Sequence, residues 1–149
     1  MEIYVDADSC PVKDEAARVA IRHGLVVHMV SNARMRLPEG ELVRRVVVGG
    51  DADAADDWIA ERITARDVAV TADIPLASRC LKAGAAVLGP TGKAFTEDGI
   101  GSALAMRELM SYLRDTGDVG GGGPAFTKKD RSRFLEALEQ TIRAVQRKG

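Results

Sequence analysis

The chain has 149 residues, with 21 Lys and Arg against 22 Asp and Glu, 46% hydrophobic and 4% aromatic residues and two cysteines, which fits one domain of ordinary size. With 29% charged residues beside that apolar content, disordered, collagen-like and low-complexity chains are excluded, and no apolar run approaches the roughly 20 residues of a membrane span. A chain this long buries roughly two thirds of the surface that its unfolded form exposes, so Cys10 and Cys80 are not expected to be staples.

The amino terminus reads MEIYVDADSCPVKDEAA. Acids stand where a secretory signal has its basic and apolar regions, so a cytoplasmic protein with reduced thiols is expected. Ile3 to Val5 reads as the first strand. A helix over Pro11 to Arg22 follows, with Asp8 or Ser9 as N-cap, Pro11 in its first turn and Gly24 stopping it after His23. Leu25 to Val30 and Val46 to Val48 read as the second and third strands, and Ala54 to Thr64 as the second helix. Val68 to Val70, a helix over Pro75 to Lys82 that ends at Gly84, and Ala85 to Leu88 complete the alternation. The strand runs are rich in Val and Ile and too short for helices, which predicts strands buried on both faces. Strands separated by helices imply an α/β class with a parallel sheet of about five strands flanked by helices.

After Pro90 the rhythm changes. Ser102 to Arg114 and Lys128 to Arg147 both have helical periodicity with no strand between them. The second shows Phe134, Leu135, Leu138, Ile142 and Val145 at helical spacing. Residues 101–149 therefore read as a carboxyl-terminal helical extension of the single domain, packed back onto the sheet. Thr116 to Thr127 holds four consecutive glycines, which are costly to order, and reads as a flexible linker.

The aspartates are the informative residues. The first strand ends in Val5-Asp6-Ala7-Asp8 and the fourth in Val70-Thr71-Ala72-Asp73, which puts carboxylates at the carboxyl ends of strands. Ligands of open parallel sheets bind there, where the strand order reverses. Asp6 and Asp73 meet if those two strands are neighbours. Capping explains an Asp before a helix equally well for Asp8, but Asp6 ends a buried strand, where an unpaired charge is costly. A third acidic group lies in Gly49-Gly50-Asp51-Ala52-Asp53-Ala54-Ala55-Asp56-Asp57. The helix dipole favours one or two acids at a helix start, while Asp53 repels Asp56 and Asp57 at i, i+3 and i, i+4 unless a cation intervenes. At 100° per residue Asp56 lies about 60° from Ile59 and about 20° from Ile63, on the sheet-facing side. Asp56 is the preferred ligand, Asp53 the second, Asp51 an N-cap, and Asp57 faces solvent.

Asp6, Asp56 and Asp73, with Asp8 and Asp53 in reserve, form a set of carboxylates that share one rim only if some protonate or a cation neutralises them. All-oxygen ligation selects Mg2+ or Mn2+, and the chemistry suited to that set is attack of metal-activated water on a phosphodiester. Asp6, Asp8, Asp56 and Asp73 are the candidate catalytic residues, and Asp6, Asp53, Asp56 and Asp73 the candidate metal ligands. Asn32, Arg34 and Arg36 follow the second strand at its carboxyl end and suit a phosphate; Thr71 beside Asp73 is grouped with them. Lys128 and Lys129 open the last helix, where cations oppose its dipole, and also suit phosphate contact. His23 and His28, without metal-ligand spacing, read as structural. Gly89-Pro90-Thr91-Gly92-Lys93 lacks the spacing of a phosphate loop and reads as a turn.

In the strings VDADSCPVK, SNAR, GGDADAADDWI, VTADIPLA, GKAFTEDGI, GGPAF and DRSRF the chain resembles, over essentially its whole length, the YaiI/YqxD family of small bacterial proteins related to PIN-like nuclease domains. The resemblance implies a PIN-like fold, with Asp6, one acid of the Asp53 to Asp57 group and Asp73 where such nucleases bind divalent metal. The chain departs from PIN nucleases in having Asp for the usual central Glu and in its extra carboxyl-terminal helices. The leading expectation is thus a metal-dependent nuclease acting on RNA, or second on DNA, with no membrane partner.

Two other readings stay open. One is a non-catalytic nucleic-acid or protein-binding module whose acids are caps. The other is a phosphatase of the haloacid-dehalogenase type with Asp6 as nucleophile, against which stands the missing later Lys and acid pair. Charge is also segregated, with 14 acids and 9 bases in residues 1–75 against 8 acids and 12 bases in residues 76–149. That arrangement suits a cation site beside a polyanion surface.

Overall fold

The first strand, β1 (Ile3–Asp6), is the centre of a five-stranded, all-parallel sheet in a computed structural model that describes residues 1–51, 53–101 and 126–148. On one side of it lie β2 (Val27–Ser31) and then β3 (Val43–Val47); on the other lie β4 (Val68–Val70) and then β5 (Ala86–Leu88). In the register, Val5 faces both Met29 of β2 and Val70 of β4. The chain runs outward from β1 to β3 and then returns to β4, so the order reverses between β1 and β4, and the segments leaving those two strands emerge side by side. The class is α/β, as the alternation of strand and helix patterns implies.

Side chains alternate across the pleat, and each face of the sheet is covered. Ile3, Val5, Val27, Met29, Val68 and Val70 meet α1 (Lys13–Arg22) and α4 (Lys128–Lys148), whose Phe134, Leu138 and Ile142 are wholly buried. Tyr4, Val30, Ala69 and Val87 meet α2 (Ala54–Arg62) and α3 (Ile74–Lys82) through Ala55, Ile59, Leu76 and Ala77. The turn over residues 89–93 lies against α4. Gly92 has φ +88°, and a Cβ there would come within 2.7 Å of the Arg133 carbonyl oxygen, so only glycine allows that approach.

Three sequence expectations are corrected. α1 begins at Lys13 with Val12 at its N-cap position and no side-chain cap, because Asp8 and Ser9 bond to other segments. β3 starts earlier than Val46 and is not buried on both faces, since it is an edge strand paired only with β2, with exposed Arg44, Arg45 and Val47. Arginines on such an edge discourage further strand pairing. Asp53, rather than Asp51, occupies the N-cap position of α2.

Cys10 and Cys80 are buried free thiols, each pushed up to about 12 by burial. Among the described residues no helix is long and apolar enough to cross a membrane. The helix expected over Ser102 to Arg114, and the glycine-rich connection from Thr116 except its last two residues, lie outside the described residues.

Candidate active site

Asp6, the last residue of β1, is only 4% exposed, so its carboxylate needs partners. Two hydroxyls supply them. Ser9 Oγ donates to Asp6 Oδ2 at 2.8 Å, and Thr71 Oγ1 donates to the same oxygen at 2.9 Å. The Thr71 hydroxyl accepts from the Asp73 N–H at 2.9 Å, and Ser9 Oγ accepts from the Ala72 N–H at 3.2 Å. Two of these four bonds, Thr71 to Asp6 and Ala72 to Ser9, lace the end of β1 and the loop after it to the segment after β4. Asp73 then caps α3, its Oδ1 accepting from the Leu76 N–H at 3.0 Å.

The third wall comes from β2 and α2. The Asn32 N–H donates to Asp8 Oδ2 at 2.7 Å, and Asn32 Oδ1 accepts from the Ala55 N–H at 3.1 Å. Asn32 therefore satisfies an amide in the first turn of α2 from a distant segment, while Asp53 makes no side-chain cap bond. The result is an open cavity of about 330 Å3 lined by Asp6, Asp8, Ser9, Asn32, Asp53, Ala55, Asp56 and Asp73. Five carboxylates from three segments share it. Among the described residues none of the five forms an ion pair with a Lys, Arg or His.

That crowding shows in proton affinity. Asp56 is pushed up to about 7, first by burial and then by Asp73, Asp6 and Asp53, with Arg79 opposing. Burial also raises Asp6; the bonds from Ser9 and Thr71 oppose the shift, and the charges of Asp73 and Asp8 add to it. The acids line a wall rather than converge on one point, for among the described residues no three His, Cys, Asp or Glu side chains stand together as ligands of one ion.

Residues 4–144 match the model of a family described as uncharacterised BCR, YaiI/YqxD family. The chain belongs to the YaiI/YqxD family. It is 61% identical over 147 residues to a UPF0178 protein of Parvibaculum lavamentivorans, covering 99% of this chain and 97% of that one. A UPF0178 protein of Rhodospirillum rubrum is 60% identical over 148 residues, covering 99% of each. No solved structure matches the chain.

Within this YaiI/YqxD chain the cavity gathers Asp6, Asp8, Asp53, Asp56, Asp73 and Asn32 from the sequence-expected set. Asp57 is exposed and pairs with Arg79 Nη1 at 2.6 Å. Thr71 does not reach the cavity surface; it is 1% exposed, and its hydroxyl is committed to Asp6 and the Asp73 amide. Arg34 is exposed outside the cavity wall, and Arg36 lines a separate cleft. Lys128 and Lys129 are exposed at the start of α4, also outside the wall. There Thr127 and Asp130 bond reciprocally, Thr127 N–H to Asp130 Oδ2 at 2.9 Å and Asp130 N–H to Thr127 Oγ1 at 3.1 Å. This box offsets the unfavourable position of the two lysines.

His23 bonds Glu139 at 2.8 Å, and His28 stacks on Tyr4 with ring centroids 4.6 Å apart. Ser9 is the site residue that sequence reading assigned only to capping. Its position three residues after Asp6 allowed this bond, but the amide it accepts from is 63 residues away.

Proposed function

We propose that the chain is a divalent-metal-dependent nuclease that hydrolyses phosphodiester bonds, in RNA before DNA, on a PIN-like scaffold in the cytoplasm. The observation that carries this reading is the cavity at the carboxyl ends of β1 and β4, where five carboxylates lie together without a cationic partner among the described residues. Capping explains one oxygen of Asp73 and leaves Asp6, Asp53 and Asp56 without that purpose. The donor set fits a hard ion, because the ligand atoms on offer are carboxylate, hydroxyl and amide oxygens. Asp6, Asp53, Asp56 and Asp73 would hold Mg2+ or Mn2+, and Asp8 would assist. When bound, such an ion supplies charge neutralisation and an activated water for in-line attack on phosphorus.

The chain's own groups prepare the site. Ser9 and Thr71 fix one oxygen of Asp6 and leave Oδ1 for a ligand. Asp56, pushed up to about 7, would give up its proton on holding a cation. Asn32 ties the Asp8 loop to the start of α2, which sets the width of the cavity.

The test is cleavage of single-stranded RNA by the purified chain with Mn2+ or Mg2+. Asp6→Asn is expected to abolish cleavage while circular dichroism shows the fold retained; activity that survives the substitution removes the assignment. The second reading, a non-catalytic binding module, is favoured by the acids lining a wall without forming a ready ligand cluster. Binding indifferent to chelator and never accompanied by cleavage would select it.

A further inference from the structure

A second cavity, about 690 Å3, is lined by Lys13, Asp14, Arg36, Leu37, Pro38, Glu39 and Arg45. Its three cations come from three places: the first residue of α1, the segment after β2, and the edge strand β3. The Lys13 ammonium is anchored, donating to the carbonyls of Cys10 at 3.2 Å and Ala7 at 3.5 Å, in the loop that bears Asp8. Arg36 and Arg45 are exposed, and among the described residues neither guanidinium has an ion-pair partner, although Asp14 and Glu39 line the same cleft.

The two cavities have no lining residue in common but draw on the same two stretches of chain. Lys13, the first residue of α1, follows Asp8 of the β1–α1 connection by five residues, and Arg36 follows Asn32 by four after β2. Four residues span at most about 14 Å of extended chain, so the cleft begins within that reach of the acidic cavity.

The geometry points to a phosphate-binding subsite in this cleft, in which Arg36 and Arg45 grip the backbone of a single-stranded nucleic acid whose neighbouring phosphodiester reaches the acidic cavity. The choice of ligand rests on the nuclease reading above. Planar guanidinium forks match phosphate oxygens in pairs. Cavities of about 300 to 1,000 Å3 take ligands of drug size, the scale of one or two nucleotides of a single strand. Among the described residues no cation lines the acidic cavity, and the Lys13, Arg36 and Arg45 cleft supplies attraction that brings a polyanion toward its rim.

The experiment uses a fluorescein-labelled oligouridylate of about 20 nucleotides and the full chain in EDTA, with anisotropy read across a salt series. Each phosphate contact on a single strand contributes about 0.7 to the slope of log K against log salt. The pair Arg36→Glu with Arg45→Glu is expected to flatten the slope by about 1.4 and to weaken binding by about tenfold or more at low salt. Arg147→Glu, near the exposed carboxyl end of α4, is expected to match the wild type.

No binding by the wild type in EDTA, or a double variant that is folded and binds no worse than Arg147→Glu, overturns the proposal. So does competition by a glutamate-rich peptide that equals competition by unlabelled oligouridylate. An oligodeoxyuridylate of the same length separates the sources of the phosphate; equal affinity means that the cleft reads backbone alone, as expected for guanidinium contacts. Cleft-dependent binding with no cleavage in Mn2+ would condemn the reading of the acidic cavity and leave the cleft standing.

Discussion

Asp56 is half-buried at the start of α2, and its carboxyl group is pushed up to about 7 from an ordinary 3.8. Between those values the folded chain binds the proton more tightly than the unfolded chain, so this group contributes stability that is present below about pH 4 and lost as pH rises to about 7. Asp56→Asn is therefore expected to raise the melting temperature of the metal-free protein, by more at pH 8 than at pH 5; an equal or larger gain at pH 5 would contradict the burial and repulsion assigned to this side chain. Ser9 acts one step away. Ser9→Ala removes one of two hydroxyls fixing Asp6 Oδ2; if Asp6 holds the proposed ion, losing that orienting partner costs about 10- to 100-fold in affinity. A Mn2+ titration of the variant by calorimetry is expected to show that loss, with Ser9→Thr restoring much of it. Asp6, Asp56 and Asp73 were legible in the sequence because strand ends and the 3.6-residue period are local properties. The duties of Ser9, Asn32 and Thr71 were not, since each depends on a partner in another segment of the chain.

The elements were legible where their periodicity was strong, and misread where neighbours decide the outcome. Phe134, Leu138, Ile142 and Val145 are buried along α4 as their spacing requires. Val46 to Val48 has the composition of an interior strand, yet the observed β3 ends the sheet and leaves Arg44, Arg45 and Val47 in solvent; the apolar run alone does not say which strand ends a sheet. The clamp between α1 and α4 was equally hidden. Glu139 accepts from His23 at 2.8 Å, from Arg143 Nε at 2.8 Å and from Arg22. These partners, His23 foremost, pull its carboxyl group down to about 2 from an ordinary 4.5. A carboxylate lowered on folding contributes stability above its unfolded value that is lost as pH falls toward the folded one. Glu139→Gln is thus expected to lower the denaturation midpoint at pH 7, with the difference from wild type shrinking as pH falls from about 4.5 to about 2. A deficit that persists unchanged at the acid end would show that the clamp acts by packing instead of charge.

At the scale of the whole molecule, the topology unites what the sequence keeps apart. Part of the excess acid of residues 1–75 gathers because the order β3-β2-β1-β4-β5 places β1 beside β4, which brings Asp6 within a hydroxyl's reach of the chain leaving β4. Alternating strand and helix patterns imply a parallel sheet, but strand order depends on which crossovers return to the centre, a property of no single segment. The same topology sets five carboxylates around one cavity, a state that self-repulsion opposes and that the proposed divalent cation would relieve. The most direct test is thermal unfolding of the wild type and Asp6→Asn with and without Mn2+ at pH 8. An ion at 100 times its dissociation constant contributes about 2.7 kcal/mol, which moves the midpoint of a chain this size by about 5 to 10 °C. A rise of that order in the wild type, absent from Asp6→Asn, is the expected result. An unchanged wild-type midpoint at millimolar Mn2+, with the fold intact by circular dichroism, would contradict it.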